Sequence, residues 1–244
     1  FATVAATSSY DDLRRAVTDR HLLWQVAADD AVGSLSGTVS PPGVVAVCRF
    51  VDVPLAELAD TATGPQTATG AGPDDGPDDG PDDGPDDGPG DGPGGFLAVC
   101  ADVRDPGNAG TVIRTADAAG ATGVVLAGHS VDPYNDKAVR ATVGSLFHLP
   151  IALEPDPATV VGTLRDHGWT VLAADAAGET ALFDADTLLT GKVAWLFGNE
   201  AWGLPADLAA LADHRVAIPI RGRAESLNLA TAAAVCLYAT ARCR

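Results

Sequence analysis

The 244-residue sequence predicts an α/β fold, a mostly parallel sheet flanked by helices, and three observations carry that prediction. After residue 95, short apolar runs alternate with segments of helical periodicity, the pattern of strands joined by crossover helices. The runs are apolar at successive positions, so both sheet faces are covered, as in parallel sheets. Hydrophobic residues make up 46% of the chain, enough for a substantial core.

In chain order, residues 1–60 read as a partial N-terminal α/β domain: a strand-like run at 21–27, a short helix at 29–35 and an apolar strand at 44–50. Ser40-Pro41-Pro42-Gly43 separates the last two as a breaker,. No methionine occurs anywhere, so Phe1 is read as a processed or truncated beginning.

Residues 61–95 read as a disordered linker. Gly-Pro-Asp-Asp recurs four times between 72 and 87, followed by Gly-Pro-Gly-Asp-Gly-Pro-Gly-Gly. Proline lacks a backbone donor, glycine loses much entropy on ordering, and the aspartates repel one another. A plain spacer is the simpler reading, and an acidic decoy the alternative.

In the third region, 96–244, strands are predicted at 96–103, 123–127, 149–153, 170–174, 193–197 and 216–220, and helices at 108–119, 136–143, 157–167, 205–212 and 227–241. Asn108 is read as the cap of the first helix, with Gly107 and Gly110 letting the backbone turn tightly. Pro205 opens the fourth helix and Ser226 is read as the cap of the fifth.

Composition bounds the function. Cys48, Cys100, Cys236 and Cys243 show no C-x-x-C spacing and the five histidines are scattered, which argues against a zinc site or a disulfide framework. No apolar run approaches the roughly 18 residues a membrane span needs, and a reducing, cytoplasmic compartment is expected. The net charge of −18 opposes a nucleic-acid partner, because phosphate binding needs cations. Yet the 61–95 segment alone holds nine aspartates and neither Lys nor Arg.

Ligands of parallel sheets bind beyond the carboxyl ends of the strands, so three loops carry the candidate chemistry. The first is Asp102-Val-Arg-Asp-Pro-Gly-Asn-Ala-Gly110, running into Thr111-Val-Ile-Arg114-Thr-Ala. Arg114 lies among small and apolar residues, and its charge must be paired, face a cleft or snorkel to the surface. The second is Trp195-Leu-Phe-Gly198-Asn199-Glu200-Ala-Trp-Gly203-Leu-Pro205, where a strand runs into glycines and a carboxylate; a capping Glu200 is the bland alternative. The third is Ile218-Pro-Ile-Arg221-Gly-Arg-Ala-Glu-Ser226-Leu-Asn228. Its arginines, serine and asparagine suit anion and hydroxyl recognition. A dinucleotide-dependent oxidoreductase is disfavoured, since no G-x-G-x-x-G follows the first strand.

Together these segments resemble, in order, the three signature motifs of the SpoU (TrmH) family of RNA ribose methyltransferases in the SPOUT superfamily. Asp105, Pro106, Asn108, Gly110, Arg114, Thr115 and Ala116 match the first, D-P-x-N-x-G…R-T-A. Phe197, Gly198, Glu200, Gly203 and Leu204 match the second, F-G-x-E-x-x-G-L. Ile218, Pro219, Gly222, Ser226, Leu227 and Asn228 match the third, I-P-x-x-G-x-x-x-S-L-N. The first sixty residues resemble more weakly the end of the family's N-terminal RNA-binding domain.

The resemblance implies a C-terminal deep trefoil knot, a homodimer with active sites at the subunit interface, and transfer of a methyl group from S-adenosyl-L-methionine to a ribose 2′-hydroxyl. Ribosomal RNA of the 23S type is the expected substrate, ahead of transfer RNA. A non-catalytic RNA- or cofactor-binding protein of the same fold is the alternative. Gly198, Ile218 and Leu227 are implied to hold the cofactor through their backbone, and Asn108, Arg114, Glu200, Ser226 and Asn228 to form the reacting centre without a metal. Arg114 would sit beside the 2′-hydroxyl. A guanidinium is effectively always protonated, so stabilising the emerging alkoxide or a neighbouring phosphate suits it better than acting as the base, and Glu200 would orient Arg114 or a substrate group. Arg104, Lys137, Arg140, Arg221 and Arg223 are the candidate RNA contacts, since the overall field repels RNA.

Overall fold

The computed structural model describes residues 1–36, 41–61 and 94–244. The linker predicted at 61–95 lies, apart from its ends, outside the described residues, as does Ser40 of the predicted breaker. The chain divides into two compact units, Phe1–Phe50 and Val51–Arg244.

Among its described residues the first unit holds three short helices, α1 (Val4–Ser9), α2 (Asp11–Asp19) and α3 (Asp29–Leu35). Only α3 matches its predicted position. The runs predicted as strands at 21–27 and 44–50 are not ladders, because their common partner is the single residue Ala2, which bridges Val26 on one side and Val44 on the other. Beyond those bridges, Val47 and Phe50 are exposed. Helix α2 escapes the pattern reading because none of its residues is buried.

The second unit starts before the sequence-based border at 60. Helix α4 (Leu55–Asp60) buries Leu55, Leu58 and Ala59, and the Trp169 indole N–H donates to the Ala59 carbonyl at 2.9 Å. Val53 N–H donates to the Ile151 carbonyl, and the Tyr134 hydroxyl accepts from the amides of Val51 and Asp52. Residues 51–60 are therefore built into the domain that follows.

That domain continues β1 (Phe96–Ala101), α5 (Pro106–Ala119), β2 (Gly123–Ala127), α6 (Asp136–Thr142), β3 (Ile151–Glu154), α7 (Pro157–Asp166), β4 (Thr170–Ala174), β5 (Thr180–Ala181), β6 (Val193–Phe197), α8 (Ala206–Ala209), β7 (His214–Ala217) and α9 (Leu229–Arg242). The strands form one sheet in the order β3-β2-β1-β6-β4-β7-β5, and every pairing is parallel. Successive strand residues point to opposite faces. In β1, Phe96, Ala98 and Cys100 join the core against α5 and α9, while Leu97, Val99 and Ala101 join the core against α4 and α7. Trp195 of β6 is fully buried, and its indole N–H donates to the Thr240 hydroxyl of α9 at 2.8 Å, which removes the cost of an unpaired buried donor.

Departures from the predicted borders have local causes. Pro150 and Pro219 lack the amide donor a ladder needs, so β3 starts at Ile151 and β7 ends at Ala217. Helix α5 is capped by Asp105, whose side chain accepts from the Asn108 amide, with Pro106 in the first turn; Asn108 is not the cap. Gly110 serves no turn. It lies in α5, where a Cβ would come within 2.5 Å of the Ala138 carbonyl oxygen and 2.6 Å of Ala141 Cβ, so it lets α5 and α6 pack closely. Asn228, not Ser226, caps α9 through the amides of Ala230 and Thr231. Among the described residues, no helix is long and apolar enough to cross a membrane.

Candidate active site

The three motif loops meet at the carboxyl ends of β1, β6 and β7, and a chain of hydrogen bonds ties them together. Glu200 accepts from the amides of Arg104 (3.2 Å) and Asp105 (3.1 Å) and from Asn108 Nδ2 (3.1 Å). Asn108 Oδ1 accepts from Asn228 Nδ2 at 3.1 Å. Asn228 Oδ1 then accepts from the amides of Ala230 and Thr231. The ends of this relay dictate both amide orientations: a carboxylate only accepts, and helix N-terminal amides only donate.

Burial pushes the Glu200 carboxyl up, but its own amide, Asn108 and the amides of Arg104 and Asp105 outweigh that and hold it below the usual value. The Asp105 carboxyl is likewise lowered, first by the Asn108 amide and then by Lys137, whose Nζ lies 3.1 Å away.

Asn199, which the motif reading passed over, is the buried pin of the second loop, only 6% exposed. Its Nδ2 donates to the Asp102 carbonyl at 2.7 Å, its Oδ1 accepts from the Ala201 amide, and its backbone exchanges two hydrogen bonds with Gly203. Asp102 itself takes a left-handed conformation (φ 56°), uncommon for a non-glycine residue. That turn aims its carbonyl at Asn199, and its Oδ1 accepts from the His129 amide. The readable signals are an Asn directly after Gly198, just past the end of β6, and the Asp105-Pro106 pair that opens α5,.

Beside the relay lies a cleft of about 270 Å³ at the ends of β4, β6 and β7. Its walls include Phe197, Val216, Ile218, Leu227 and Leu229, and its polar groups come from Gly198, Asn199, Glu200, Glu225, Ser226 and Asp175. Only glycine fits at 198. A Cβ there would lie 2.3 Å from the Gly203 carbonyl carbon and 2.4 Å from the Leu204 nitrogen, so the strand end and the returning turn stay in backbone contact.

The structure thus brings together Asn108, Gly198, Glu200, Ile218, Ser226, Leu227 and Asn228. It does not bring Arg114 into the cleft lining. Arg114 is exposed on α5, about 9 Å along the axis from Asn108 by helical rise, and has no ion-pair partner among the described residues. Arg104, Arg140, Arg221 and Arg223 are exposed and unpaired among the described residues, whereas Lys137 is committed to Asp105. Among the described residues, no three His, Cys, Asp or Glu side chains are grouped to hold a metal ion.

An all-parallel sheet with a mixed apolar and polar cleft at its carboxyl edge is the arrangement in which α/β proteins place their ligand sites. A sequence model of the SpoU rRNA Methylase family matches residues 95–238, and the chain belongs to that family. It is 42% identical over 155 residues to the 23S rRNA (uridine(2479)-2′-O)-methyltransferase of Streptomyces viridochromogenes, covering 61% of this chain and 53% of the relative. Among solved structures, an AdoMet-bound rRNA methyltransferase from Sinorhizobium meliloti shares 42% identity at a TM-score of 0.57, covering 62% of this chain and 57% of that one. An rRNA methyltransferase structure from the same organism covers 96% of this chain and 77% of its own, with 30% identity and a TM-score of 0.73. The chain spans about half the length of the curated relatives it matches.

Proposed function

We propose that the chain is an RNA 2′-O-methyltransferase that uses S-adenosyl-L-methionine, with ribosomal RNA of the 23S type as substrate. The observation that carries this reading is the Glu200–Asn108–Asn228 relay, which joins the three family motifs at the edge of one cleft. The cleft suits the cofactor chemically. Its apolar walls fit a flat adenine, the backbone at Gly198, Ile218 and Leu227 offers edge hydrogen bonds, and the carboxylates of Asp175, Glu200 and Glu225 favour a sulfonium cation,. When bound, the cofactor supplies an electrophilic methyl group.

The remaining chemistry falls to the protein. Attack by a ribose hydroxyl needs alignment and stabilisation of the oxygen as its proton leaves. Asn108 and Asn228 hold the loops, Ser226 offers its hydroxyl to the nucleotide, Glu200 fixes the first loop, and Arg114 stabilises the developing oxyanion.

Because Arg114 stands outside the cleft of its own chain, the reading includes a homodimer in which one protomer's Arg114 serves its partner's cleft. It also includes the family's trefoil knot, supported by insertion of β6 between β1 and β4 and the return of α9 onto α5, and a cytoplasmic location.

Incubating the protein with labelled cofactor and unmodified ribosomal RNA, then mapping alkali-resistant linkages, tests the reaction. Label on ribose is expected, and label on bases would refute it.

Arg104, Arg140, Arg221 and Arg223 supply the local attraction that a chain of net charge −18 otherwise lacks. Replacing Arg221 or Arg223 by alanine should weaken RNA binding several-fold and flatten the plot of log affinity against log salt by about 0.7–0.9 per lost phosphate contact. An unaltered slope removes that arginine from the RNA face.

A further inference from the structure

Three of the four tryptophans are packed into the protein with the indole N–H satisfied. Trp24 donates to the Thr7 hydroxyl, Trp169 to the Ala59 carbonyl and Trp195 to the Thr240 hydroxyl. Trp202 is the exception. It is 61% exposed, and its indole N–H has no partner among the described residues.

Its backbone, in contrast, is held firmly. Trp202 sits in the Asn199–Gly203 turn, which is closed by two backbone hydrogen bonds, by the Ala201 amide on Asn199 Oδ1 and by the Asn199 anchor to Asp102. Its chain neighbours Ala201 and Gly203 line the cleft, while Trp202 itself does not. A large aromatic plane is thus presented to solvent at the cleft rim on a rigid support, at a position that the F-G-x-E-x-x-G-L pattern leaves open.

We propose that Trp202 is a stacking platform for a nucleobase of the substrate RNA, setting how the target nucleotide is placed over the cleft; this deepens the methyltransferase reading and rests on it. The charge balance supports that occupant. A net charge of −18 repels a polyanion, and the exposed, unpaired arginines offset only part of that charge, so contacts that do not depend on charge must add to the binding. Stacking supplies one: every base has a π-face, and aromatic stacking on single-stranded nucleic acid adds substantial affinity. A locked turn also lowers the ordering cost of forming the stack.

The tests are steady-state methylation of an unmodified large-subunit ribosomal RNA transcript by wild type, Trp202→Ala, Trp202→Leu and Trp202→Phe, and acrylamide quenching of tryptophan fluorescence with and without that transcript. Trp202→Ala and Trp202→Leu should raise KM for RNA about ten-fold. The value of kcat, the affinity for cofactor, the sedimentation coefficient and the salt slope of RNA binding should be unchanged. Trp202→Phe should recover most of the loss, and the transcript should shield the exposed indole from acrylamide. An unchanged KM in Trp202→Ala overturns the inference and leaves the methyltransferase reading standing. So does a loss of dimer or of cofactor affinity in that variant, which would assign the ring to self-association or to the fold. If wild type transfers no methyl group to any RNA, the functional reading fails, and shielding by the transcript alone decides whether the indole meets RNA.

Discussion

Arg114→Ala is expected to slow methyl transfer by about a hundred- to a thousand-fold, the usual cost of losing one donor to a developing oxyanion, while cofactor affinity and thermal stability stay at wild-type levels. The structural basis is Arg114's exposure and lack of a polar partner among the described residues, so the substitution breaks no hydrogen bond or ion pair of the fold. Arg114→Lys keeps the charge but not the planar fork, and an intermediate rate is expected. Leu227→Arg puts a cation into the cleft wall, where it opposes a sulfonium, and should be inactive on its own. Mixing it with Arg114→Ala lets subunits exchange into heterodimers in which one cleft is intact and faces an intact arginine. About a quarter of wild-type activity should return if exchange is random in a two-fold assembly. Activity no higher than that of the separate variants would place Arg114 with its own chain's cleft.

Periodicity made the sheet legible because a strand buried on both faces must be apolar throughout, and 123–127, 170–174 and 193–197 were located to the residue. What was missed obeys other forces. The two-residue β5 is too short to carry a pattern. Helix α4 and the border at Phe50 are fixed by contacts with Ile151 and Trp169, far away in sequence. In the site, residue types announced the loops, but their division of labour was misread. Asn108 and Asn228 are alike in sequence, yet one bridges two loops while the other caps a helix and bridges as well. Only the spatial order of donors and acceptors separates such roles. Arg114 shows the converse, since its helical spacing was plain and its exposure was not.

Glu200→Gln is expected to lower kcat/KM by about ten- to a hundred-fold, from the loss of hydrogen bonds to a charged acceptor, with little change in melting temperature. The carboxylate takes three donors from the first loop. A glutamine of the same length offers one acceptor oxygen and turns an NH₂ group toward donors that cannot receive it. The first loop then loses its register with Asn228 although the sheet beneath it is untouched, and Glu200 acts as a positioning residue through Asn108. Protonation of the wild-type carboxyl should have the same local effect. Its folded pKa is depressed from the ordinary 4.5, so the order it contributes is present above that value and is lost as pH falls through the lower, folded one. The Asn108 side-chain amide resonances report this directly. They should titrate with a midpoint below 4.5, and in Glu200→Gln, where Asp105 is the carboxylate left bonding to Asn108, that step should be absent. A midpoint at or above the ordinary carboxyl value, or the same transition in the variant, would mean that Glu200 does not hold Asn108 in solution.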